Sequence, residues 1–145
     1  VGLIKDETNL IGILANVSAA LHDTFPERFF WVGFYLQAHG NMLRLGPFQG
    51  SVACYTIPYG KGVCGKAWEE GHTLIVPDVE TFPGHIACSS LSRSEIVVPM
   101  YDDAHTFRGV LDIDSTRLND FDEDDKEGLG RIIDLLMEET QDLFL

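Results

Sequence analysis

Three cysteines, Cys54, Cys64 and Cys88, fall in the middle of the 145-residue chain, and the flanks carry none. A thiol does redox chemistry when a second thiol can reach it, because a sulfenic acid formed on one sulfur is cleared by condensation with its neighbour. Three thiols in one central segment supply such a pair with one to spare. Cys88 lies in a polar stretch with Ser89, Ser90, Ser92 and Arg93, and a nearby cation favours the thiolate. Cys64 lies in the glycine-rich run Gly60-Lys61-Gly62-Val63-Cys64-Gly65. That run is not the G-x-x-x-x-G-K-[ST] pattern that cradles phosphates, so it implies no nucleotide. The bland alternative is three inert cysteines acting as small core residues.

Two further groups accompany the thiols. Asp112 and Asp114 share one face of an expected strand with Val110, which sets the two carboxylates roughly 6.5–7 Å apart. Like charges that close call for a cation between them or for one protonated member; the alternative is a strand end emerging into water. Glu95 sits on a neighbouring strand beside apolar Ile96, Val97 and Val98. Trp31 and Tyr35 flank Gly33 on one strand face, a notch between aromatic walls sized for a methyl or thioether group. Its alternative is a core strand with a glycine kink.

The elements that must position these residues follow from periodicity. Residues 6–23 read as an amphipathic helix buried through Leu10, Ile13, Leu14, Val17 and Leu21, ended by Pro26. A central strand spans 29–36, with Phe30, Val32, Phe34 and Leu36 on the face opposite Trp31 and Tyr35. The turn His39-Gly40-Asn41 leads to an antiparallel strand over 42–48, and a third strand over 52–57 carries Cys54. Residues 66–70 form a short helix stopped by Gly71, which leaves Cys64 in the turn before it. A strand at 74–76 precedes an aperiodic loop over 78–94, expected to be a lid over a site. Strands 95–100 and 107–114 form a hairpin that brings Glu95, Asp112 and Asp114 together. An acidic run over 119–125 opens a last helix reaching about residue 144, buried through Leu129, Ile132, Ile133, Leu136 and Leu143.

Length and composition indicate one soluble globular domain over 1–145, and its expected helices and strands together make it α+β. A net charge of −13 with ten Lys and Arg disfavours nucleic acid and anionic membranes, where affinity comes from neutralised phosphates. No apolar run is long enough to span a bilayer. No signal-peptide pattern opens the sequence, and an odd cysteine count argues for reduced thiols in the cytoplasm.

The motifs Trp31-Val32-Gly33-Phe34-Tyr35, Leu45-Gly46-Pro47-Phe48-Gln49-Gly50, Gly60-Lys61-Gly62-Val63-Cys64-Gly65 and Gly84-His85-Ile86-Ala87-Cys88 resemble those of the free methionine-(R)-sulfoxide reductases, stand-alone GAF domains. Ser92-Arg93-Ser94-Glu95-Ile96-Val97-Val98-Pro99 and Gly109-Val110-Leu111-Asp112-Ile113-Asp114-Ser115 extend the likeness over nearly the whole chain. The resemblance implies a GAF-like fold, with a central antiparallel sheet, the N- and C-terminal helices packed on one face and the ligand pocket with its loops on the other. It implies that Cys88 attacks the sulfoxide sulfur, that Cys54 or Cys64 condenses with the resulting sulfenic acid, and that thioredoxin reduces the disulfide. The R preference rests on it alone. It makes Glu95, Asp112 and Asp114 the substrate-binding carboxylates and Trp31 and Tyr35 the wall around the methyl group. Glu95 is the candidate proton donor. The expected strand placement of Cys54 favours it over Cys64 as the second thiol. No cofactor or metal is called for, and a homodimer is left open. Two other readings compete: a non-catalytic GAF sensor, which needs the pocket and not the thiols, and a metal site built from Cys54, Cys64, His85 and Cys88, which lacks C-x-x-C spacing.

Overall fold

The computed structural model describes residues 2, 4–86 and 88–144. Its centre is a six-stranded sheet, antiparallel at every pairing, with the chain running α1 (Leu10–Thr24), β1 (Trp31–Ala38), β2 (Met42–Gln49), β3 (Thr56–Pro58), α2 (Gly62–Glu70), β4 (Leu74–Val76), β5 (Ser94–Tyr101), β6 (Phe107–Ser115) and α3 (Glu123–Thr140). The strand order is β3-β2-β1-β6-β5-β4. β1 and β6 are central, and β1 is apolar on both faces where they pair, while β6 turns Asp112 and Asp114 to one face.

Strand parity sorts the side chains into two cores. Val32 and Phe34 of β1, Ile96, Val98 and Met100 of β5, and Leu111 and Ile113 of β6 pack under α1 and α3. Trp31, Tyr35, Val97 and Val110 face the opposite side, with Val63, Cys64 and Ala67 of α2. The two long helices thus cover one face, and α2 with the loops covers the other. Phe30 departs from the expected parity. It precedes the first paired residue of β1, so the pleat does not govern it, and it packs in the second core.

Both long helices start later than periodicity suggests, because their caps decide. Asn9 Oδ1 accepts from the Gly12 amide at 3.1 Å, so α1 begins at Leu10 rather than near residue 6. Asp122 and Asp125 form a reciprocal capping box at the head of α3. The buried stripe of α3 runs through Leu129, Ile133, Leu136, Met137 and Thr140. That stripe leaves Ile132 at its margin, 37% exposed, against the expectation that it is buried. Leu143 still packs on the core, from a short 3-10 turn beyond the helix.

The largest departure is α2, which begins at Gly62 and not at residue 66. Cys64 is therefore inside a helix. Gly65 permits this: a Cβ there would stand 2.5 Å from the Pro58 carbonyl oxygen, so only glycine lets α2 lie against the end of β3.

Candidate active site

The strand ends of the second face meet α2 and two loops around a small cavity of about 40 Å³. Trp31 and Tyr35 line it from β1, Cys64 from α2, and Glu95, Asp112 and Asp114 from the β5–β6 hairpin. His85, Ile86, Cys88, Ser89 and Ser92 line it from the loop before β5.

The hairpin does what alternation requires. Glu95 pairs with Asp114 and Val97 with Asp112, so the three acids converge on one face. Glu95 and Asp112 are buried and Asp114 half-buried. Burial, and next the charges of Asp112 and Asp114, hold the Glu95 carboxyl well above the ordinary carboxylate range. Burial and then the Asp112 charge do the same for Asp114. Burial also raises Asp112, but hydrogen bonding with Glu95 and Cys64 works against it. Asp112 is thus the member best suited to stay ionised, and its Oδ1 is buried without a hydrogen-bond partner.

Cys54 lies in the loop between β2 and β3, not on the expected strand. Val52 and Tyr55 have strand-forming side chains, but both are exposed, and β3 pairs with β2 only from Thr56. Propensity without a ladder partner makes no strand. Cys54 is joined to Cys88 by a disulfide, with Cα atoms 5.4 Å apart. Cys64 is a buried free thiol. Burial, followed by the charges of Asp112, Glu95 and Asp114, pushes that thiol well up, so it is held protonated. The metal set Cys54, Cys64, His85 and Cys88 is accordingly overturned, since two of its three sulfurs are spent on each other. A different set, Cys64, Glu95 and Asp112, brings its donor atoms within 4.8 Å of one another.

The aromatic wall is present, but the notch is not open. A Cβ on Gly33 would lie 2.3 Å from Phe48 Cβ and 2.8 Å from the Trp31 ring. The indole fills the gap itself, stacking at 5.9 Å on Tyr35 and 5.1 Å on Phe48. Gly33 is required by this stack, and Trp31 and Tyr35 of the stack both line the cavity. Trp31 Nε1 donates to the Ser51 carbonyl at 3.0 Å.

His85 was weighed in the sequence only as a metal ligand. Its Nε2 lies 3.9 Å from Glu95 Oε1, and burial lowers its pKa. Its position three residues before Cys88 in the expected lid was the available signal. Ile57, Val63 and Ile86 also line the cavity; nothing in the sequence separated them from ordinary core residues.

The GAF domain family model matches residues 7–137. Free methionine-R-sulfoxide reductase of Escherichia coli is 44% identical over 131 residues, covering 90% of this chain and 78% of that protein. The structure of free methionine-R-sulfoxide reductase from Neisseria meningitidis, solved in complex with its substrate, matches with a TM-score of 0.92 at 49% identity, over 97% of this chain and 83% of that one. The chain belongs to this GAF family of free methionine-R-sulfoxide reductases. GAF domain-containing protein A of Dictyostelium discoideum is 58% identical over 135 residues, 93% of this chain and 84% of its own length. Within the GAF fold, the helix-covered face is scaffold and the opposite face carries the thiols and acids. Among the described residues no helix is long and apolar enough to cross a membrane.

Proposed function

We propose that this GAF domain reduces free methionine-R-sulfoxide to methionine, with Cys88 as the nucleophile and Cys54 as the second thiol. The observation that carries this reading is the Cys54–Cys88 pair beside a cavity lined by three converging acids. A sensor needs the cavity and has no use for the thiol pair.

The substrate's ammonium group binds Asp112, whose Oδ1 lacks a donor, and the nearby Asp114. The flat stack of Trp31 and Tyr35 carries the methyl group. The Cys88 thiolate attacks the sulfoxide sulfur, and protonated Glu95 gives its proton to the oxygen. The oxygen passes to Cys88 as a sulfenic acid, the S–O bond of the substrate breaks, and its sulfur keeps the electron pair as a thioether. The Cys54 thiolate then attacks Cys88, forming the disulfide and releasing hydroxide that is protonated to water. A dithiol reductant of the thioredoxin class restores both thiols. The cavity with the disulfide formed is far below the roughly 300 Å³ at which small-molecule clefts begin. The loop segments 82–86 and 88–92 therefore act as a lid that the disulfide closes and reduction releases.

The test is a thioredoxin-coupled NADPH assay with free methionine-R-sulfoxide. Turnover in the wild type and none in Cys88→Ser is the expected result; turnover by both, or by neither, defeats the reading.

A further inference from the structure

The acids and the remaining thiol offer the pocket a second kind of ligand. Cys64 Sγ and one oxygen each of Glu95 and Asp112 lie within 4.8 Å of one another. These residues are only 3, 6 and 5% exposed. Asp112 Oδ1, buried and without a partner, is an acceptor that the protein itself does not satisfy. Such an atom is costly to leave unpaired, and a cation placed among the three donors removes that cost.

We propose that Cys64, Glu95 and Asp112 bind a borderline-soft divalent cation of the Zn²⁺ class, and that the bound ion excludes the substrate's ammonium group. The donor set decides the class of ion. Mg²⁺ and Ca²⁺ take oxygen ligands, whereas sulfur combined with carboxylate suits Zn²⁺ or Co²⁺. Metal–ligand lengths of about 2.3 Å to sulfur and 2.0–2.2 Å to oxygen set donors about 3.3–3.6 Å apart around one ion. The three side chains need to draw in by about an ångström, which χ rotations of Glu95 and Asp112 can supply. Binding exchanges the Cys64 thiol proton and the Glu95 carboxyl proton for the metal: sulfur–metal and oxygen–metal bonds form, the S–H and O–H bonds break, both protons leave to solvent, and no electron is transferred. His85 Nε2, 3.9 Å from Glu95 Oε1, lies beside this set and is not one of the three donors. The ion takes no part in sulfoxide reduction; it occupies the acids that the substrate needs. The exclusion of substrate rests on the proposed function, and the binding of the ion does not.

The Cys54→Ser/Cys88→Ser protein leaves Cys64 as its single thiol and is titrated with Co²⁺. One equivalent is expected to bind with a thiolate-to-cobalt charge-transfer band. Adding Cys64→Ser abolishes the band. Asp112→Asn, which removes charge and keeps shape, weakens binding at least about tenfold, since even outer-shell partners of a metal are worth that much. Free methionine displaces the ion, while glycine, which chelates free cobalt as well, leaves it bound. Absence of the band, or equal affinity in a folded Asp112→Asn variant with an unchanged melting curve, overturns the site. Failure of methionine to displace the ion overturns the exclusion. A band in a protein whose wild type does not turn over free methionine-R-sulfoxide leaves the site standing and defeats the reductase reading; turnover without a band does the reverse.

Discussion

Tyr35 Oη donates a hydrogen bond to the Cys54 carbonyl oxygen at 3.1 Å. The aromatic wall on β1 and the loop that carries Cys54 are thereby one mechanical unit. Tyr35→Phe keeps the ring and removes the tether. One lost hydrogen bond of about 1 kcal/mol corresponds to a roughly fivefold slower recycling step. Methionine released in a single turnover without reductant is expected to stay at one equivalent. A variant that loses the single turnover and recycles normally contradicts the tether.

The cysteines are expected to divide into three behaviours. Cys88→Ser releases no methionine. Cys54→Ser releases one equivalent and stalls as a sulfenic acid, which a dimedone probe detects. Cys64→Ser continues to turn over, because Cys64 is buried in α2 and Cys88 is already matched by Cys54. Peptide mapping that finds a Cys64–Cys88 bond in the oxidised wild type would reverse the last two roles.

The acids are expected to separate kinetically. Glu95→Gln removes a proton donor and mainly lowers kcat, by roughly 10²–10⁴-fold as for other general acids. Asp112→Asn removes an ammonium partner and mainly raises KM. For the same reason, methionine sulfoxide inside a peptide, whose nitrogen is an uncharged amide, leaves a buried carboxylate unpaired and loses about 10²-fold or more in kcat/KM. Wild-type constants in both variants, or equal rates on an oxidised peptide, would show that this face only solvates its acids.

Stability toward acid is expected to depend on Arg28, which reaches Asp120 at 3.3 Å and Asp125 at 2.8 Å. Burial pushes the Asp125 carboxyl up, but the Arg28 hydrogen bond, the hydrogen bond from the Asp122 amide and the Arg28 charge outweigh it and hold it below the ordinary value. A carboxyl lowered in the folded state stabilises above the unfolded value, near 3.9, and loses that contribution as pH falls through the folded one. The pair is partly exposed, so about 1 kcal/mol is the scale. Asp125→Asn should melt lower than wild type at pH 7, with the gap closing near pH 2. A gap of constant size across that range would assign the effect to the helix cap alone.

The carboxylate site was legible because strand alternation is a rule of period two. Once β5 and β6 form a hairpin, Glu95, Asp112 and Asp114 have nowhere else to point. The α1 and α3 faces followed from helical spacing in the same way, apart from Ile132 at the stripe's edge. What the sequence concealed depends on neighbours distant in the chain. The start of α2 is set by the fit of Gly65 against Pro58, and the absence of a strand at Cys54 by where pairing with β2 begins, at Thr56. The notch at Gly33 is filled because Trp31 folds back over it, a rotamer choice that spacing does not encode. The partner of Cys88 was open for the same reason: position in the chain does not say which of two sulfurs arrives first.

On the proposed mechanism, the 40 Å³ cavity under the Cys54–Cys88 bond makes the oxidised form a locked room whose key is held by the reductant. Product has to leave before the bolt slides home, and no new substrate enters until it is drawn. The two reactants then never share the enzyme. Initial rates measured against sulfoxide at several reductant concentrations should give parallel double-reciprocal lines, the ping-pong signature, and the disulfide form should show no binding of free methionine-R-sulfoxide by calorimetry.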